Sequence, residues 1–272
     1  RMFRLGTPFD LYLQTDLPEL VAKGWHRQYH LVVFMNSFCL SPAERELIRQ
    51  DLLAEGRTAL FFFAPGYQGN ADTTSELAVA GIEAVTGMTG VGRLDEKHLL
   101  GADIGGTPFD VLPWWGAHQI TNYGQEIGPT FYLDPARSNG WTPWAGLRLD
   151  GESQAGKVAV AMRESAGARV IYSVLPDLPQ DLLDRVVEVS GVHRYTRKGV
   201  LCWANQTMLG VHAVVDERAL TLTAKEPVTW IEPFERRVYG RKTKSITIDL
   251  PKGQTRVFCL DRQGEWKGFA ER

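Results

Sequence analysis

The stretch YHLVVFMN-SFCLSPAERELIRQDLLAEG-RTALFFFA, residues 29–64, decides the fold. Its first and last blocks are short, nearly continuous apolar runs, which are typical of strands buried on both faces. The block between them predicts a helix over 42–55, because Ser41 and Glu44 match a capping box and Gly56 suits a helix end. Two strands joined by a helix indicate a parallel sheet with a right-handed crossover.

Weaker signals surround this unit. The sequence predicts a short strand over 8–13, a helix over 74–86, a hairpin from 157 to 175 and a helix over 179–190. We therefore expect an α/β domain over residues 1–195, with a flavodoxin-like, doubly wound and mostly parallel sheet. Its first strand is expected upstream of Arg1; the alternative is a smaller sheet that begins with this chain.

Residues 196–272 predict a small antiparallel β-sandwich. No helical periodicity appears there, and Ile246, Ile248 and Leu250 alternate with polar neighbours as on a half-buried strand. Short apolar runs with turn signals between them recur at 200–204, 208–215, 219–223, 228–231, 245–250 and 255–260.

Large aromatic side chains concentrate in residues 88–150, a segment rich in Gly and Pro for which we expect little regular structure. Long loops of this kind are often functional. Packing or a protein interface is the leading interpretation of the rings, and direct contact with a sugar is the alternative. The candidate ligand or interface residues are Trp114, Trp115, Tyr123, Trp141 and Trp144.

Composition excludes several classes of function. The net charge is −2 and no apolar run approaches the ~20 residues of a membrane span, so neither a nucleic-acid nor a membrane partner is expected. The three cysteines are too few for a disulfide scaffold and share no metal-type spacing, and we expect neither a metal nor another cofactor. The N-terminus leaves the cellular compartment open.

The search for catalytic residues yields two candidates. In a doubly wound domain a site lies beyond the carboxyl ends of the strands, where Pro65, Gly66 and Tyr67 form an elbow after the second apolar run. That elbow offers no Ser or Cys nucleophile. A glycosidase needs a pair of carboxylates, and those nearest the aromatic segment are Asp103, Asp110, Glu126 and Asp134.

Several stretches together resemble a known pair of domains. The series PFDLYLQTDL, YHLVVFMNSFCLSPAERELIRQDL, GRTALFFFAPGYQG and EAVTG is similar to the class I glutamine-amidotransferase-like domain of many glycoside hydrolases, the trimerisation domain of barrel-type beta-galactosidases. LPDLPQDLLDRVVEVSGVHRY, GVLCWANQTMLGVHA and SITIDLPKGQTRVFCL resemble the small C-terminal β domain that follows it.

This resemblance implies a role without catalysis. In that family a separate (β/α)₈ barrel carries the two catalytic glutamates, and since the resemblance to the other two domains covers most of this chain, it leaves no room for a barrel. The amidotransferase Cys would fall near residues 65–67, so the resemblance implies a degenerate elbow and no amidotransferase activity. The implied partners are the catalytic barrel of a parent protein or further copies of the chain.

Three functional hypotheses follow. The favoured one is an accessory or oligomerisation portion of a beta-galactosidase-like glycoside hydrolase, which shapes the active site of a separate catalytic domain. The second is a stand-alone glycoside hydrolase that uses a carboxylate pair near the Trp-rich segment. The third is a carbohydrate-binding module, which requires several aromatic rings exposed in a row.

Overall fold

The chain folds into an α/β part and a β part. The computed structural model describes residues 1–69, 77–111, 126–165, 167–197 and 199–264. Residues 12–182 form one compact unit, here the α/β unit; residues 1–11 and the chain from 183 onward form the other, here the β unit. A mixed sheet lies in the first and a separate antiparallel sheet in the second, which confirms the α/β class followed by a β region. Among the described helices, none is long and apolar enough to cross a membrane.

The α/β unit alternates helices and strands only in its first part. Its elements are α1 (Leu17–Ala22), β1 (Leu31–Phe34), α2 (Pro42–Leu47), β2 (Thr58–Phe62), α3 (Val79–Thr86), β3 (Val91–Leu94), β4 (Leu100–Ile104), β5 (Thr107–Asp110), β6 (Thr130–Leu133), β7 (Thr142–Leu149), β8 (Glu152–Ser165) and β9 (Ala168–Ser173). The predicted capping box is confirmed: the Glu44 amide donates to Ser41 Oγ at 3.2 Å, and the Ser41 amide donates to Glu44 Oε2 at 2.7 Å. After α2 the chain continues as π-helix over Ile48–Leu52.

Parallel pairing joins β1 to β2 and β2 to β9. The described strands follow the order β1-β2-β9-β8-β7-β4-β5, with β6 bridging β3 and β8, and their remaining pairings are antiparallel. The predicted strand–helix–strand unit is therefore confirmed, and so is the hairpin through Gly167, at a φ of +81°. The antiparallel extension was not expected from the sequence.

Two sequence expectations need correction. Residues 88–150 are not an irregular segment: their described parts contain β3 to β7. Residues 8–13 form no strand. The predicted helix over 74–86 is present as α3, and residues 74–76 lie outside the described residues. Of the strands β3 to β7, β6 agrees with a short strand expected over Phe131–Leu133. The missed strands β3, β4, β5 and β7 hold Gly, Pro or Asp, so their pairing across the sheet stabilises them more than local propensity does.

The described part of the β unit contains one antiparallel sheet. After α4 (Gln180–Val189), its strands are β10 (Leu201–Ala204), β11 (Met208–His212), β12 (Glu217–Glu232), β13 (Arg237–Leu250) and β14 (Thr255–Asp261), in the spatial order β10-β11-β14-β12-β13. Trp230 is fully buried, and its ring meets Phe258 edge-on at 6.0 Å between centroids. The strands predicted over 219–223 and 228–231 are one strand, β12, in which a register shift accommodates the residues between them.

The first residues of the chain belong to the β unit. The amide of Tyr195 donates to the carbonyl of Gly6 at 2.7 Å, and Arg194 Nε donates to the carbonyl of Leu5 at 2.8 Å. These bonds explain why the observed division into units differs from the expected boundary between residues 195 and 196.

Candidate functional site

The elbow after β2 is a tight backbone turn. Phe63 and Gly66 both have positive φ, +60° and +65°, and the Gly66 amide donates to the carbonyl of Ser37 at 2.8 Å. Arg45 Nη2 donates to the carbonyl of Gly66 at 3.0 Å. A left-handed conformation is rare for a bulky residue such as Phe, and the surrounding contacts hold it in place.

Aromatic rings fill the space around the elbow. Phe63 and Tyr67 both meet Phe131 edge-on, at 5.4 and 5.0 Å between ring centroids. The Tyr67 hydroxyl is buried without a hydrogen-bond partner among the described residues, and burial raises the pKa of Tyr67. At neutral pH this side chain is a neutral phenol packed in a core, so it lacks the character of a nucleophile.

Two of the four candidate carboxylates meet at one arginine. On β4, Asp103 Oδ1 lies 3.3 Å from Arg148 Nη1; at the end of β5, Asp110 Oδ1 lies 3.9 Å from Arg148 Nε. Ser153 also donates to Asp103. A shared arginine between strands is the arrangement of a structural ion-pair network.

The other two carboxylates lie elsewhere. Asp134 accepts the amide of Ala136 at 3.0 Å and so caps the 3-10 helix over Pro135–Arg137. Glu126 is exposed. The structure therefore brings Asp103 and Asp110 to one place and gives Asp134 a local structural contact.

The described aromatic candidates are interior residues. Trp141 and Trp144 are 5% and 7% exposed, and Trp141 Nε1 donates to the carbonyl of Thr89 at 2.9 Å. Neither ring presents a face on which a sugar could stack, which weakens the binding-module hypothesis for these two. Trp114, Trp115 and Tyr123 lie outside the described residues.

A cleft that the sequence does not predict lies in the β unit. Its volume is about 650 Å³, within the range of roughly 300–1,000 Å³ found for small-molecule sites. One wall is formed by the end of α4 and the segment after it in the chain, and the other wall is a face of β12. The lining residues are Glu188, Val192, His193, Arg194, Thr196, Arg197, Ala219, Thr221 and Thr223.

The arginines of the cleft are paired with carboxylates. Arg194 Nη2 lies 2.7 Å from Asp184 Oδ1, and Arg197 Nη1 lies 3.2 Å from Glu188 Oε1. Burial, together with the charge of Lys225, lowers the pKa of His193, although the hydrogen bond to Thr223 opposes the shift. The imidazole is consequently neutral at neutral pH.

His193 has a defined tautomer. Its Nε2 lies 3.1 Å from the carbonyl oxygen of Thr223, which can only accept, so the proton sits on Nε2 and Nδ1 is left as an acceptor. This contact with the backbone gives His193 a structural role between its own segment and β12. The cleft itself escapes sequence reasoning, because its walls meet only through contacts between segments far apart in the chain.

No group of three or more His, Cys, Asp or Glu side chains in the described parts of the chain has the geometry of a metal site. The spacing of His26 and His30 is not that of a helical ligand pair, since His26 lies in a short 3-10 helix (Trp25–Gln28) that ends before His30. His26 is buried, and its Nδ1 lies 3.4 Å from the carbonyl oxygen of Leu20.

Comparison with known proteins gives matches in structure. No protein-family model matches the sequence, and no curated protein matches it. Gan42B, a GH42 beta-galactosidase from G. stearothermophilus, matches 96% of this chain and 35% of its own, with a TM-score of 0.57 and 11% identity. The fold is shared with part of this beta-galactosidase.

Two further solved structures give the same result. The beta-galactosidase from Bacillus circulans sp. alkalophilus matches 86% of this chain and 33% of its own, with a TM-score of 0.54 and 16% identity. The enzyme from Halorubrum lacusprofundi matches 86% and 31%, with a TM-score of 0.52 and 17% identity. Identities this low support the shared fold alone, and the chain spans about a third of the length of these proteins.

Proposed function

We propose that this chain is a non-catalytic accessory and oligomerisation portion of a beta-galactosidase-like glycoside hydrolase, and that it shapes the active site of a separate catalytic domain. The observation that carries the proposal is the extent of the structural match: most of this chain corresponds to about a third of each beta-galactosidase chain. The remaining two thirds of those proteins have no counterpart in these residues.

The contents of the α/β unit agree with this role. Within the proposal, this unit is a flavodoxin-like, glutamine-amidotransferase-like domain of the trimerisation type, and the β unit is a small sandwich domain. The elbow carries Pro65, Gly66 and Tyr67 where an amidotransferase needs a nucleophile, and aromatic packing fills the space around it. Asp103 and Asp110 share Arg148 in a structural network.

The first test is enzymatic. The purified chain should not hydrolyse p-nitrophenyl β-D-galactopyranoside above the rate of a blank without protein. Hydrolysis that disappears in both Asp103→Asn and Asp110→Asn would overturn the proposal in favour of a stand-alone hydrolase, with Asp134→Asn as the matched control.

The second test concerns assembly. Light scattering of the purified chain should give a mass larger than one copy, and the gene upstream of the Arg1 codon should encode a barrel domain in the same reading frame. A monomer at all concentrations, together with an upstream region that encodes no barrel, would reject the accessory role.

A further inference from the structure

We propose that the cleft of the β unit binds a neutral carbohydrate of the pyranose type. This site is separate from the elbow and from the carboxylates considered above, and the proposal does not depend on whether the chain is an accessory portion of a hydrolase. It rests on the volume of the cleft, the pairing of its charged residues and the presence of both donors and acceptors among the residues that line it.

The β12 wall has a regular polar face. Thr221 and Thr223 are spaced two residues apart, so their side chains point to the same side of the strand, while Ala219 lies at a bulge with a φ of +53°. The residues between them, Leu220 and Leu222, are fully buried in the core of the unit. This side of β12 therefore presents the Thr221 hydroxyl, and beside it the Thr223 hydroxyl that pairs with Ser245 Oγ, on a strand whose other side is anchored in the core.

The opposite wall is held in place by the first residues of the chain. Leu5 and Gly6 accept hydrogen bonds from Arg194 and Tyr195, as described above. The fit is close, because a β carbon on Gly6 would lie 1.9 Å from the carbonyl oxygen of Thr196. The Thr223 amide donates to the carbonyl of Tyr195 at 2.7 Å, which ties this wall to β12. A cleft preorganised in this way loses little entropy when it binds a ligand.

The charge balance selects the class of ligand. Among the residues that line the cleft, Arg194 is matched by Asp184 and Arg197 by Glu188, and His193 is neutral; the charge of Lys225, which acts on His193, comes from outside the lining. An anion would compete with these carboxylates for the guanidinium groups, whereas a neutral ligand leaves both ion pairs intact.

A sugar suits the hydrogen-bonding groups of the walls. Each sugar hydroxyl both donates and accepts, and the residues that line the cleft carry guanidinium donors, the Glu188 carboxylate, the His193 imidazole and the Thr221 hydroxyl, whereas the Thr223 hydroxyl already lies 3.1 Å from Ser245 Oγ. The volume of about 650 Å³ leaves room for a mono- or disaccharide with its bound water. These features favour a pyranose over a phosphate or sulfate group.

Titration calorimetry of the full chain tests the proposal, with methyl β-D-galactopyranoside, lactose and methyl α-D-glucopyranoside as probes and inorganic sulfate as the anionic comparison. We expect saturable binding of at least one sugar and none of sulfate. Thr221→Val should weaken that binding about two- to tenfold, the loss expected for one hydrogen bond to a neutral group. Arg197→Gln should weaken it further, because a charged donor is removed.

Thr247→Val is the matched control. Thr247 is exposed and lies directly opposite Thr221 on β13, but it does not line the cleft, so its replacement should leave binding unchanged. The absence of saturable binding for all three sugars would overturn the proposal, as would binding of sulfate in their place. Sugar binding that neither Thr221→Val nor Arg197→Gln weakens would place the site elsewhere and equally overturn it. Because binding is measured directly, none of these outcomes depends on hydrolysis or oligomeric state.

Discussion

Gly66 and Gly81 meet backbone to backbone: a β carbon on Gly81 would lie 2.0 Å from the carbonyl oxygen of Gly66. Gly66 is the turn residue of the elbow, and Gly81 lies in the first half of α3. The close approach fixes the elbow against the helix and excludes any side chain at either position. An active site at this turn would have no free space between Gly66 and Gly81.

Gly81→Ala should therefore destabilise the α/β unit by about 1–3 kcal/mol, the usual cost of overpacking. The measurement is amide hydrogen exchange in β2 and α3 under native conditions. Gly146→Ala is the control, since a β carbon there would be 3.7 Å from Asp103 Cβ, which is an ordinary contact. Equal protection in the two variants would contradict the prediction.

Trp230 is expected to be the main single contributor to the core of the β unit. It is fully buried, and its Nε1 donates to the carbonyl of Thr243 at 3.0 Å. Trp230→Ala should lower the free energy of unfolding by about 3–5 kcal/mol. Trp203→Ala should cost clearly less, because that side chain is 46% exposed. Denaturant unfolding, followed by amide hydrogen exchange in β10 to β14, measures the loss of unfolding free energy in each variant. Similar losses in Trp230→Ala and Trp203→Ala would argue against the assigned core.

The three cysteines should differ in reactivity. Burial raises the pKa of Cys202 to about 12 and also raises the pKa of Cys259, so little of the reactive thiolate is present in either. Cys39 is only partly buried. Iodoacetamide should modify Cys39 in the native protein and reach the other two only after unfolding, as judged by peptide mass spectrometry. Native modification of Cys202 as fast as that of Cys39 would refute this.

The stability of the β unit should fall as the solution becomes mildly acidic. Burial lowers the pKa of His193 below its ordinary value of about 6.5, so the unfolded chain binds more protons when the pH drops past that value. The free energy of unfolding that the neutral form of His193 contributes above pH 6.5 is lost progressively as the pH falls. The loss ends when the pH reaches the pKa of His193 in the folded protein. Thermal unfolding at several pH values measures the effect.

His193→Gln is the matched variant for this pH dependence. Its amide preserves a donor for the carbonyl of Thr223 and does not titrate in this range. The free energy of unfolding of the unchanged protein minus that of His193→Gln should therefore depend on pH below about 6.5 and be constant above it. Curves that run parallel throughout would show that His193 does not contribute.

The sequence predicts the unit from β1 to β2 well because its signals are local. Ser41, Glu44 and Gly56 delimit the helical region, and the flanking apolar runs have the length of buried strands. In contrast, β3 and β4 contain Gly or Asp and lack an apolar pattern long enough to recognise. β3 pairs with β6, and β4 pairs with β7, more than thirty residues later in the chain; β4 also forms a hairpin with the neighbouring β5.

The candidate cleft was beyond sequence prediction for a related reason. In the sequence, Thr221 and Thr223 look like ordinary strand residues. They line a cleft only because the fold places the segment after α4 opposite them. That segment is positioned by Leu5, which is 189 residues away from Arg194. For the carboxylates, the sequence suggested more than the structure supports. Their residue type suggested catalysis, but Asp103 and Asp110 lie close together because both approach one basic residue, Arg148.

The bonds from Arg194 and Tyr195 to Leu5 and Gly6 also bear on the order in which the parts of the protein can fold. The β unit consists of residues 1–11 and the residues from 183 onward, with residues 12–182 inserted between these two segments. During synthesis residues 12–182 emerge between the two segments of the β unit, so residues 1–11 can dock only after the strands that follow residue 183 have been made. Closing so long a loop costs entropy and slows folding, so the final docking of residues 1–11 is expected to be the late event in biosynthesis.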